Sequence, residues 1–207
     1  MRLRRRSAAT TQAAPAEPVA PTDAGTGPYD ADDLDLESDA TFADHVDLGG
    51  LLVAPPPDGI ELRLQVDEVS GEVIAVVLAA DDGALELRAF ASSRGGDLWA
   101  EVRRAIAGET AQHGGTANER SGDFGTELMT QLPVTTPDGQ AAVQPTRVIG
   151  VTGARWFLRA TLLGRPAVEP EDAAHWEDQI RSVVVRRGTG AMPPGEAIAL
   201  TLPPGAG

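Results

Sequence analysis

The chain has 207 residues, 42% hydrophobic and 23% charged, with 31 acids against 17 bases and a formal net charge of −14. That size implies one domain plus an appendage, and the acidic excess argues against nucleic acid as a partner, because a phosphate backbone is bound by clustered basic charge. Cysteine is absent, which excludes disulfides and thiolate chemistry and fits a cytoplasmic location.

The first residues, Met1-Arg2-Leu3-Arg4-Arg5-Arg6, could open a signal peptide, but Ser7 to Pro21 supply no apolar run of the length one needs. Nor does any later stretch reach the roughly eighteen apolar residues of a membrane span. The leader is instead sorted by charge: residues 1–16 hold four arginines and no acid, and residues 17–58 hold eleven acids and no arginine. Such a composition predicts disorder over 1–45, since it offers too little apolar surface to offset the ordering of the chain. Within it, Tyr29 to Glu37 interleaves apolar residues with acids. It reads as a solubilising tail, or as a segment that folds on a partner.

Order is predicted from Val46, with one domain over 46–188. Leu51-Leu52-Val53 is a short apolar strand halted by Pro55-Pro56-Pro57. Ile60 to Val66 alternates apolar and polar without a fault, Val73 to Leu78 returns as a more buried strand, and Leu85 to Ala91 follows after Asp82-Gly83. This is an antiparallel meander. Asp97 then caps a helix carrying Leu98, Val102, Ala105 and Ile106 on one face, and Gly114-Gly115 stops it. Strands follow at 117–120, 126–134 and 142–151, with Pro137-Asp138-Gly139 as the turn between the last two. Pro145 predicts an edge position or a bulge.

Trp156 to Leu163 is apolar on both faces apart from Arg159 and Thr161, so it is predicted to be central. A second helix from Glu169 sets Ala173, Trp176, Ile180 and Val183 at three- and four-residue steps, and Val183 to Val185 close as a short strand. Residues 189–207 read as a Pro-rich tail in which Ile198, Leu200 and Leu202 could form an edge strand. The order of elements predicts an α+β fold, a mostly antiparallel sheet with two main helices packed on it.

Four segments carry a family likeness: Pro55-Pro56-Pro57-x-Gly59-x-Glu61-Leu62-Arg63, Leu98-Trp99-x-Glu101-Val102-Arg103, Phe124 to Leu128, and Arg155-Trp156-Phe157-Leu158-Arg159. In them the chain resembles an actinobacterial family catalogued as domain of unknown function 3710, over about Tyr29 to Gly188. At the level of fold alone, the element order is similar to that of PsbP-like and Mog-type accessory proteins. That likeness implies partner binding more than catalysis.

The residues announce no reaction centre, metal or cofactor. His45, His113 and His175 are scattered, with His113 suited to a helix C-terminus and His175 to an ion pair with Glu171. Asp81-Asp82 and Glu177-Asp178 read as solvated surface. The Ser92-to-Asp97 loop matches no nucleotide fingerprint, and Asp97 would oppose a phosphate there. Arg147, Arg155 and Arg159 are the candidate binding residues, because adjacent strands could gather them on one sheet face beside Trp156 or Phe157. The competing reading pairs them with Glu127 or with the acidic leader.

Two functional readings follow. In the first, the protein is a cytosolic accessory or adaptor protein and no enzyme, and a shallow apolar patch near Trp99 or Phe124 receives a protein partner. In the second, it is a small-ligand or anion-binding protein, or an enzyme, with an Arg/carboxylate site.

Overall fold

The computed structural model describes residues 27–203. In chain order its elements are β1 (Tyr29–Asp30), β2 (Val46–Asp47), β3 (Leu51–Val53), β4 (Glu61–Val66), β5 (Val73–Ala79), β6 (Gly83–Ala91), α1 (Leu98–Gln112), β7 (Thr116–Gly122), β8 (Gly125–Thr135), β9 (Ala141–Thr152), β10 (Trp156–Gly164), α2 (Pro170–Ser182) and β11 (Val184–Val185). Seven strands form one antiparallel sheet in the order β4-β5-β6-β10-β9-β8-β7, and the rest form a small sheet ordered β1-β11-β3-β2. The fold is α+β, as predicted. No helix among the described residues is long and apolar enough to cross a membrane.

The strand apolar on both faces, β10, is the middle of the seven. Its alternation divides two cores: Trp156, Leu158, Ala160 and Leu162 join the main core, and Phe157 points to the opposite face, into a second cluster with Trp99, Leu128 and Val148. Against the first face pack α2, through Trp176 and Ile180, and the inner side of the small sheet, through Leu51, Val53 and Val185. Against the second packs α1 alone. Asp97 caps α1 by accepting from the Ala100 N–H, and Gly114, at φ 76°, lets the chain turn out of the helix where a Cβ would be strained.

Pro145 illustrates how a local rule survives in a central strand. Although β9 lies between β8 and β10, its pairing with β10 ends at Thr146, while its pairing with β8 continues through Pro145 to Ala141. The proline therefore sits where one side of the strand needs no donor.

The predicted disorder over 1–45 is corrected for residues 27–45; residues 1–26 of that leader lie outside the described residues. Here β1 pairs in parallel with β11, and two short 3₁₀ turns, Ala31–Asp33 and Ala40–Phe42, lay Tyr29, Leu34, Leu36 and Phe42 over Leu52 and Val184 on the outer side of the small sheet. The interleaved acids are used rather than merely solvated. Asp30 accepts from the Asp32 N–H and from the Trp156 indole, Asp39 accepts from the Thr41 N–H, and Asp32 pairs with Arg155. His45 adds a tie, its Nε2–H donating to the Ser182 carbonyl at the end of α2.

The C-terminal tail is corrected as well. Ile198 and Leu200 are buried while Leu202 is exposed, and the tail bonds to β6 at Ala89 and Ala91, beyond the reach of β5. It completes the sheet through isolated bridges instead of forming a strand of its own.

Candidate functional site

The three candidate arginines do not share a face. Arg147 lies on the α2 side, where its Nε and Nη2 bond both oxygens of Glu127 at 2.7 Å and its Nη1 meets Glu177 at 2.7 Å. Glu127 has no exposed surface and also accepts from Arg120. Burial alone would lower the pKa of Arg147, but the hydrogen bonds and charges of Glu127 and Glu177 outweigh it and hold the guanidinium above its ordinary value. This network is saturated, and it clamps α2 to the sheet.

Arg155 sits in the turn before β10 and pairs with Asp32 at 3.2 Å. The alternative of pairing with Glu127 and the leader therefore describes both Arg147 and Arg155. Trp99 and Phe124 are not an exposed patch either. Trp99 is buried, stacked on Phe157 at 5.8 Å, and donates its indole N–H to the Thr126 carbonyl. Gly150 beneath it admits that packing, since a Cβ there would fall inside the indole. Phe124 is half-buried, packed on the main core with the Arg181 guanidinium 5.1 Å from its ring.

Arg159 is different. On the α1 side of the sheet, β10 and β6 run in a register that sets Arg159 directly opposite Arg88 and Thr161 directly opposite Glu86. Like charges directly opposite one another across a strand pair repel. Arg159 Nη2 bonds Glu86 at 2.9 Å, whereas Arg88 makes no ion pair among the described residues, and the Nε of each arginine is buried with no hydrogen-bond partner. Both guanidiniums stack on Phe90, at 5.6 and 5.8 Å from the ring centre. Burial, and then the charge of Arg159, lower the pKa of Arg88, with Glu86 only partly compensating.

Arg159 and Glu86 close one end of a groove of about 420 Å³ between α1 and the sheet. Its floor presents Thr161, Thr146 and Thr130, and α1 overhangs it with Ile106. Thr130 and Thr146 satisfy each other at 2.6 Å. At the other side stands His113, whose Nδ1–H donates back to the Glu109 carbonyl and so caps the helix. A volume of this size suits a small ligand or a few residues of a partner. Among the described residues no group of three or more His, Asp or Glu side chains is arranged to hold a metal ion.

With the geometry in place, comparison with known families decides the kinship. The chain belongs to the DUF3710 family. The family model, described as Protein of unknown function, matches residues 27–207, somewhat more than the span over which the four signature segments carried the likeness. No curated protein matches the chain. The DUF3710 match takes in both sheets, both helices and the Arg88–Arg159 pair.

Arg88 was missed by sequence reasoning. It stands at an ordinary polar position of an alternating strand, Leu85-Glu86-Leu87-Arg88, and only the register against β10 gives it meaning. The signal available in advance was weak: an arginine in each of two alternating strands, with one acid, Glu86, two residues before the first.

Proposed function

We propose that this DUF3710 protein is an accessory or adaptor protein of the cytosol, acting by noncovalent binding rather than by catalysis, and that the groove between α1 and the sheet is its recognition surface. The observation that carries the reading is the charge beside the end of the groove, where Arg159 bonds Glu86 and Arg88, directly opposite Arg159, has no acid of its own among the described residues. In a chain with 31 acids to 17 bases, a half-buried guanidinium left without an acid costs stability. A partner group that neutralises it recovers that cost on binding. The apolar stretches of the groove wall, Ile106 and Val148, add non-directional affinity, and the threonine hydroxyls offer hydrogen bonds that a partner's backbone can use.

The test is affinity capture from the native host with the full chain, comparing the natural protein with Thr161→Phe, which fills the groove floor opposite Glu86. Equal melting temperatures establish that both are folded. A discrete partner held by the natural protein and lost from Thr161→Phe is the expected result; the same captured set from both would overturn the groove as the recognition surface.

A further inference from the structure

We infer that the Arg88–Arg159 pair is a receptor for one carboxylate group, and that the protein partner seated in the groove presents a single acidic side chain there. This rests on the groove being the recognition surface and names the chemistry it recognises.

Charge balance selects the ligand. Arg88, Arg159 and Glu86 together carry one net positive charge, because Glu86 is already engaged by Arg159 Nη2 at 2.9 Å. One monoanion closes that balance. A phosphate dianion would exceed it, facing Glu86 within the groove and the carboxylate of Glu109 on its lip. Donors are available too: Glu86 is bonded by Arg159 Nη2 alone while Arg88 makes no ion pair among the described residues, and a guanidinium offers its N–H groups as a planar fork suited to the two oxygens of a carboxylate. Phe90 holds both planes in place by stacking, at 5.6 and 5.8 Å, so little side-chain freedom remains to be lost on binding. Elsewhere the protein meets such a demand internally, since the Arg147 guanidinium takes both oxygens of Glu127. Arg88 has no such acid among the described residues, and Arg159 has only the single bond from Nη2 to Glu86.

The distance along the groove sets the rest of the ligand. Thr161 and Val148 lie next to the arginines, in register across β10 and β9, followed by Thr146 and Thr130. A short apolar stem behind the carboxylate therefore meets Val148, Ile106 and Thr161 before reaching Thr146 and Thr130.

The experiment is a titration of the full-length protein, followed by backbone amide spectra at constant ionic strength, with butyrate, its neutral analogue butyramide, and inorganic phosphate, on the natural protein and on Arg88→Gln. Saturable butyrate shifts confined to the groove, absent with butyramide and weaker with phosphate, are expected. Arg88→Gln is expected to lower butyrate affinity about tenfold while leaving the melting temperature of the unliganded protein unchanged or raised, since a like-charge repulsion is removed. A purely structural Arg88 would do the reverse, lowering the melting temperature and leaving butyrate binding unaltered, and that result overturns the inference. Equal response to butyramide, or binding of phosphate in preference to butyrate, overturns it too. If butyrate fails while Thr161→Phe still loses its captured partner, the groove stands and the carboxylate falls; if both fail, neither reading survives.

Discussion

The two faces of the seven-stranded sheet handle charge in opposite ways. Beneath α2 and the small sheet, Arg147 meets two carboxylates and Glu127 meets two arginines, so every buried charge is answered and the face is closed. Beneath α1, two arginines sit directly opposite one another and only Arg159 has a carboxylate, Glu86, beside an open groove. The difference teaches where to look for function: a saturated network stabilises the fold, and an unsaturated one on the same scaffold is available to something outside it.

The comparison can be broken first at the closed face. Beginning the chain at Val46 strips buried Phe42 and the partly buried Tyr29, Leu34 and Leu36 from Leu52 and Val184; at about 1.5–3 kcal/mol for a fully buried apolar side chain and roughly half that for a partly buried one, the expected loss is about 5 kcal/mol. Thermal melting checks this, and a nearly unchanged transition would show that the segment rests loosely on the small sheet. Glu127→Ala leaves Arg147 with only Glu177 in a buried site and should cost about 3–5 kcal/mol by urea unfolding. A loss below about 1 kcal/mol would mean that water reaches that face.

Trp156→Ala, which empties a core position and removes the donor to Asp30, should cost about 3 kcal/mol or somewhat more. Arg155→Ala breaks only the exposed pair with Asp32 and should change stability by less than about 1 kcal/mol in the same assay. The smallest effect concerns acid. The Thr41 hydroxyl and N–H hold the Asp39 carboxyl below its ordinary value, so its ionised form favours the fold. That contribution is complete above the unfolded carboxylate value of about 4 and is lost as pH falls through the lower folded value. Asp39→Ala should therefore be less stable than the natural protein near neutral pH and converge with it in strong acid, and a gap that persists in acid would assign the effect to something other than the carboxylate.

Much of the scaffold was legible in the sequence because its signals are local. The period of Ile60 to Val66, the cap at Asp97, the stop at Gly114 and the doubly apolar run of β10 each act within a few residues, and all appear where they were expected. The family likeness rested on such segments too. What escaped depends on pairings remote in sequence. Tyr29 to Phe42 looked like a solvated tail because its apolar residues are spaced by acids, and the surface that buries them, Leu52 and Val184, comes from opposite ends of the domain. Short 3₁₀ turns show no helical period that could have announced them.

The site obeyed the same division. Pairing of Arg147 with Glu127 and of Arg155 with the leader could be weighed in advance from charge alone, whereas Glu177 enters only through the docking of α2. Arg88 and Arg159 are 71 residues apart in number, and nothing short of strand register makes them neighbours. Trp99 and Phe124 are expected from the sequence at a shallow apolar patch, but the close approach at Gly150 and the cover of Arg181 commit them to packing.

The most direct measurement reads the arginines of both faces in one spectrum: the Nε–Hε resonances of Arg88, Arg159 and Arg147, followed as butyrate is added to the full-length protein. Movement of the Arg88 and Arg159 signals to a common saturation, with Arg147 unmoved, is what an unsaturated receptor beside a saturated clamp requires. Stationary Arg88 and Arg159 signals, or all three drifting together as bulk salt would make them, would contradict it.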